Sequence, residues 1–178
     1  YDITDRKNVQ IALEHRDALL VAVGKATRQL LTGEDHRLSI GTALGTIGQA
    51  TDVDRVYVFE HHPDSQTGEP AMSQRFEWTR DSVIAQIDNP LLQDIPFDPH
   101  YARWRKVLGA GPPLHGLVRE FPDSERALLE EQDIVSLLVV PIMLDDEVWG
   151  FVGFDDCRTD RGWTESEISI LVAAAASI

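Results

Sequence analysis

The chain has 178 residues, 43% of them hydrophobic, with four tryptophans and one cysteine, which suffices for one domain with a full core and an appended helix. Thirty acidic residues against 16 basic ones leave a net charge of −14, a surface that repels phosphate backbones and anionic lipid, so neither nucleic acid nor a membrane is an expected partner. The lone thiol, Cys157, excludes an internal disulfide and a multi-cysteine metal cluster; with no membrane-length apolar run and no signal peptide, the expected setting is cytoplasmic.

Residues 5–31 hold helix formers, no proline and a single glycine, Gly24. Val9, Leu13, Leu20, Val23 and Leu30 follow a 4-3 alternation broken by Arg16 and Thr27, a stripe that suits packing on the chain's own sheet and a parallel dimer seam alike. Gly33 stands where a helix C-terminal cap is expected. Asp35 caps a second helix to about Thr51, with Ile40, Leu44 and Ile47 inward. Arg55–Glu60 alternates Val56 and Val58 against Tyr57 and Phe59 and predicts a strand. A polar loop with Pro63, Asp64, Ser65 and Gly68 leads to a second strand near Met72–Thr79.

From Asp81 to Pro113 the pattern is irregular, punctuated by Pro90, Pro96, Pro99, Pro112 and Pro113, with one short helix at His100–Leu108. So long a connector in a compact domain points to a functional loop. Leu117–Glu120 predicts a short strand and Pro122–Gln132 a helix. Two apolar runs then follow, Val135–Leu144 and Val148–Phe154, parted by Asp145-Asp146-Glu147; they predict an antiparallel hairpin in mid-sheet. Leu138, Val140, Ile142, Val148, Val152 and Phe154 are expected on one face, and Val135, Leu137, Val139, Trp149 and Phe151 on the other. Gly150 and Gly153 imply close approach by a neighbour, and Pro141 requires a bulge or an open strand side. Thr164 and Glu167 form a capping box that opens a last helix bearing Ile168, Leu171, Val172 and Ala175 on one face. A start at Tyr1 and a stop within an alanine-rich helical run read as a module of a longer protein.

Chemistry-bearing clusters are few. His61, His62 and Asp64 are metal-ligand types, yet adjacent strand residues point to opposite faces, so the histidines read as solvated strand-end groups and no metal is expected. Asp155 and Asp156 fail as an acid/base pair for the same reason. Cys157 lies near Arg158 and Arg161, but a lone thiol has no partner chemistry. No nucleophile elbow, phosphate loop or zinc-protease motif occurs. No catalytic residue is therefore assigned; a redox enzyme using Cys157 is the weakest alternative.

Ser136, Leu137, Val140, Pro141 and Ile142, the acidic turn, and then Trp149, Gly150, Gly153 and Asp155 together resemble the last two strands of a GAF domain, the sensing module of signalling proteins such as histidine kinases. Asp54-Arg55-Val56 and Phe59 are similar to its first strand. The resemblance covers Leu38 to Ile178. It implies an α/β (α+β) fold: an antiparallel sheet of five to six strands in the order 2-1-5-4-3, helices on both faces, and the connector closing over a ligand pocket. The N-terminal helix, residues 1–34, resembles the signalling helices that flank such domains, with 35–178 the sensor domain. On this basis Tyr57, Phe59, Phe76, Trp78, Leu137, Val139 and Phe151 line the ligand face, Tyr101 and Trp104 join from the connector together with His115 and Arg119, and Asp155 faces the pocket from a strand end, with a solvated strand end as the competing reading of that residue.

The expected function is that of a non-catalytic regulatory module sensing an unidentified small molecule, with homodimerisation through the terminal helices. The alternative is a structural dimerisation module whose aromatic residues fill the core. Asp94-Ile95-Pro96 resembles the D-I-P of phytochromes, but no cysteine precedes it in the connector and residues 122–133 hold no histidine, which argues against a covalent bilin. The cofactor is unknown. The signature of cyclic-nucleotide-binding GAF domains is absent. Free-methionine-sulfoxide reductases of this family use several cysteines, where this chain has one.

Overall fold

A computed structural model describes residues 3–178; Tyr1 and Asp2 of the expected N-terminal unit lie outside the described residues. In chain order come α1 (Ile3–Thr32), α2 (His36–Thr51), β1 (Arg55–Pro63), β2 (Pro70–Thr79), β3 (Ile95–Pro96), α3 (Ala102–Gly109), β4 (Leu114–Leu117), α4 (Asp123–Glu131), β5 (Ser136–Leu144), β6 (Glu147–Asp156) and α5 (Glu165–Ala175). The strands form one antiparallel sheet in the order β3-β2-β1-β6-β5-β4. With the two-residue β3 set aside, the remaining five, counted along the chain, follow 2-1-5-4-3.

Two cores sit on this sheet. Helices α1, α2 and α5 cover one face, over Val56, Val58, Leu138, Val140, Ile142, Val152 and Phe154. The connector, α3 and α4 cover the other, over Tyr57, Phe59, Leu137, Val139 and Phe151. The hairpin turns at Asp145 and Asp146, both with positive φ (52° and 65°), the backbone of a two-residue turn that matches strand twist and that aspartate tolerates. Leu144 therefore faces Glu147 directly. A Cβ at Gly153 would lie 2.0 Å from the Tyr57 ring, and one at Gly150 would lie 2.0 Å from the Phe59 carbonyl oxygen. The glycines let β1 close on β6.

Two bulges reverse expected faces. Between Ile142 and Met143 the β5–β6 register skips Trp149, so Trp149 packs on the helix face while Val148 opens to the connector side beside His61 and Phe97. The β1–β2 register likewise skips Arg75; Phe76 and Trp78 stand opposite Val58 and Val56 on the helix face, with Trp78 seated against Gly45 and Gly48 of α2. The expected strand at Leu117–Glu120 is displaced. Pairing begins just after Pro112-Pro113, at Leu114 opposite Val139, and Val118–Glu120 becomes a 3-10 turn.

Helix α1 has two characters. Leu19 and Ala26 are buried, and Val23 and Leu30 pack beside them on the helix-face core. Residues 3–18 are exposed throughout, including Ile3, Val9, Ile11 and Leu13. The intrachain stripe is thus Leu19-Val23-Ala26-Leu30; Leu20, at 46% exposure, stands outside it.

The Tyr57–Gly153 contact yields a stability test. Gly153→Ala forces the ring off its seat, and overpacking of this kind costs about 1–3 kcal/mol. Urea unfolding should show a lower midpoint at unchanged slope. A midpoint equal to that of the parent chain would show the ring free to move aside.

Candidate functional site

Alternation along β1 sends Arg55, Tyr57 and Phe59 toward the connector, where β5 adds Leu137 and Val139 and β6 adds Phe151 and Asp155. The aromatic rings interlock. Phe59 and Phe151 stack with centroids 5.0 Å apart, and Trp104 meets Phe151 at 5.9 Å and Tyr101 at 5.6 Å, both edge-on, the geometries that ring quadrupoles favour. Trp104 is held from behind: its Nε1 donates to Glu125 Oε1 at 2.6 Å, and Arg103 clamps the same carboxylate with Nε and Nη2 at 2.9 and 2.6 Å. Glu125 is 1% exposed, so this buried acid locks α3 to α4. Between sheet and connector the rings leave a cavity of about 30 Å³, room for about one water molecule.

Beyond the Tyr57 ring the core turns polar. Tyr57 Oη donates to Asp155 Oδ1 at 2.8 Å. Arg55 Nη1 lies 3.9 Å from Asp155 Oδ2, while its Nη2 donates to the Gln132 carbonyl oxygen and lies 3.3 Å from Cys157 Sγ. Asp155 is fully buried, and burial pushes its carboxyl up to about 7 against the pull of Arg55 and the Tyr57 hydroxyl. Burial also raises Glu77, whose carboxylate accepts the backbone N–H groups of Gln86 and Ile87 at 2.8–3.1 Å and anchors the start of the connector. Burial lifts the Cys157 thiol to about 12, with Arg55 opposing and Asp155 adding to the rise. It is a protonated structural thiol, the reverse of an activated one.

Seven of the residues expected from sequence, Tyr57, Phe59, Tyr101, Trp104, Leu137, Val139 and Phe151, meet in this one core. Asp155 joins at its polar end, buried where solvation was the competing expectation. Phe76 and Trp78 do not belong: their pairing with Val58 and Val56 turns them to the helix face. His115 is exposed and pairs across from Leu138, a helix-face residue; Arg119, also exposed, lies 3.7 Å from Asp160. Asp94 is half exposed and approaches His62 at 3.7 Å, while Ile95 enters the core. His61 is no solvated group either; its ring packs edge-on against Phe97 and Phe151, and burial lowers it to about 4. Met72, Gln74, Leu129, Gln132 and Ile134 were missed as cavity lining. Met72 and Gln74 alternate in step on β2, the signal that was available.

The chain matches the GAF domain family over residues 39–178. It is 45% identical over 177 residues to the methanogenesis regulatory histidine kinase FilI of Methanothrix harundinacea (strain 6Ac), a match covering 99% of this chain and 20% of that protein, about one fifth of its length. Among solved structures, the chromophore-binding domain of the bacteriophytochrome RpBphP3 from R. palustris is similar with a TM-score of 0.69 at 14% identity, over 88% of this chain and 57% of that one. The cyanobacteriochrome TePixJ GAF domain gives 0.67 at 17% identity, over 83% and 89%. GAF3 from Slr1393 of Synechocystis sp. PCC6803 gives 0.61 at 22%, over 75% and 84%. At these identities the likeness is one of fold: the six-stranded antiparallel sheet with helices on both faces.

The buried Asp155 carboxyl makes a signed pH prediction. The native chain keeps a proton that the unfolded chain releases above the ordinary carboxyl value of 3.8, so this group lowers stability as pH rises from about 4 to about 7 and has no further effect above that. Asp155→Asn removes the titration. The stability of the parent chain relative to the variant should therefore fall across that window, by about 1.4 kcal/mol per pH unit at most. Parallel stability–pH curves for the two proteins would contradict it.

Proposed function

The chain belongs to the GAF family, and from that premise we propose that it is the sensory input segment of a longer regulatory histidine kinase, non-catalytic in itself and acting in a cytoplasmic two-component pathway. The 45% identity to a regulatory kinase across the whole chain carries this reading. The site we assign to the signal lies between sheet and connector, with Tyr57, Phe59, Tyr101, Trp104, Leu137, Val139 and Phe151 as its apolar walls and Asp155 at its polar end. A linear tetrapyrrole is not the ligand we assign. The cavity of about 30 Å³ is far too small for one, and the lone cysteine, Cys157, follows β6 and is not part of the connector. A small molecule admitted by movement of the connector fits better. Prolines in that segment reduce the entropy lost when it closes again.

The water-sized cavity also favours a second reading, a structural dimerisation module whose aromatic residues are simply core. Thermal shift against a metabolite collection separates the two. A ligand at a hundredfold excess over its dissociation constant stabilises by about 2.7 kcal/mol, and Trp104→Ala should abolish the shift. A collection that stabilises nothing leaves the structural module standing.

Homodimerisation through α1 is the second part of the proposal, since residues 3–18 expose Ile3, Val9, Ile11 and Leu13, more apolar surface than a free helix would carry without cost. Light scattering should give a mass above that of one chain, and a Val9→Glu/Leu13→Glu double variant should return it to one. A parent chain that stays monomeric at high micromolar concentration excludes this seam.

A further inference from the structure

The polar groups around Tyr57 hold more hydrogen-bonding capacity than the protein uses. Arg55 Nε and Nη1, Gln74 Oε1 and Asp155 Oδ2 are buried without a hydrogen-bond partner, Nη1 and Oδ2 meeting only as an ion pair at 3.9 Å, in residues that are 2%, 3% and 0% exposed. Buried polar atoms are hydrogen-bonded in the great majority of cases, so such atoms call for an explanation. Those of Arg55 and Asp155 form one cluster. Arg55 and Asp155 are cross-strand partners on β1 and β6, Tyr57 bridges from Asp155 to the cavity wall, and Gln74 lines the same wall from β2. Arg55 hydrogen-bonds through Nη2 alone, to Gln132 and Cys157; Nη1 faces Asp155 Oδ2 at 3.9 Å, beyond hydrogen-bond reach, and Nε makes no hydrogen bond.

An entrance lies beside this cluster. An open groove of about 760 Å³ runs between residues 82–86 and the end of α4, with Arg55 at its floor. Gln132 and Ile134 line both this groove and the closed cavity. Those two side chains are the partition, and displacing them joins the two spaces into a volume of the size small-molecule sites occupy.

Charge narrows what would bind there. The guanidinium of Arg55 already faces Asp155 and Glu77, and Asp54 beyond them is paired with Arg80 and Arg158 at 3.2 and 2.8 Å. An added carboxylate would meet those acids, whereas a neutral group that both accepts and donates would satisfy Arg55 on one side and Asp155 or Gln74 on the other. The stacked faces of Phe59 and Phe151 favour a flat body.

Building on the sensory reading above, we propose that Arg55, Gln74 and Asp155 are the polar end of the ligand site, reached through the Gln132–Ile134 partition, and that they select a small, flat, uncharged molecule presenting the edge of an amide or lactam. The test is an NMR titration of the 178-residue chain with benzamide and with benzoate, its charged isostere. Benzamide should move the side-chain amide signals of Gln74 and Gln132 saturably, and benzoate should leave them in place. Asp155→Asn, which keeps size and shape, should weaken benzamide at least tenfold with the backbone spectrum otherwise unchanged. Equal binding of benzoate, unmoved Gln74 and Gln132 signals, or undiminished affinity in the variant would each overturn the assignment; the wild-type comparison stands even where the variant fails to fold. The two readings fail separately. Benzamide without effect, beside a metabolite that stabilises the chain, defeats this assignment alone. Benzamide bound at these residues, beside a metabolite collection that stabilises nothing, defeats the sensory role alone.

Discussion

The ring of Tyr57 fills the space that a side chain at position 153 would need, and its hydroxyl donates to the carboxylate two residues further along β6. This one placement fixes three things. It seats β1 on β6 in the register that puts Arg55 opposite Asp155. It sets the edge-on contact with Phe59, from which the stacked pair with Phe151 continues. It also closes the cavity's polar end, so that Asp155 is removed from water and held in a state where burial competes with a nearby guanidinium. A glycine in mid-strand weakens a sheet by itself; here the loss is offset by an aromatic ring that no side chain at 153 would admit.

Alternation along the strands carried most of the architecture in the sequence. Val56 and Val58 against Tyr57 and Phe59, and Leu138 and Val140 against Leu137 and Val139, separate into the two cores as a period of two requires. The alternation misled where a residue is skipped. Arg75 and Trp149 each add one residue to a strand, and beyond each bulge every side chain changes face, which is why Phe76, Trp78, Val148 and Trp149 lie on the sides opposite to those expected. Nothing in the chemistry of arginine or tryptophan marks a bulge. The two glycines of α2 that receive Trp78 were the only hint, and one readable only once helix and strand are known to touch.

Burial at the strand end was illegible for a different reason. An aspartate pair at the end of an apolar run resembles a solvated edge, and what covers Asp155 comes from elsewhere in the chain: Arg55 from β1, Gln132 after α4, and Glu77 on β2. The candidates that meet in the connector-side core are mostly large aromatic residues, which must go to a core wherever they stand. Among the polar residues not singled out are Gln74, Gln132 and Arg55, all buried, of types that the composition of a sequence places on the surface by default.

The contacts also show what the connector side and the helix side share. Ser136, next to Leu137 of the aromatic core, donates its hydroxyl to the Arg161 carbonyl at 2.8 Å. Arg161 in turn reaches Glu167 at 2.6 Å and the Thr51 carbonyl at 2.6 Å. Glu167 sits in the capping box of α5 and lies 3.7 Å from His15 on the exposed half of α1. The start of β5 is thus joined to the first turn of α5, and through Glu167 to α1, by a continuous chain of polar contacts. Close-packed cores move as units and do not deform continuously. An enlargement of the cavity beside Leu137 would therefore be absorbed at this junction sooner than within the sheet, which is braced on both faces.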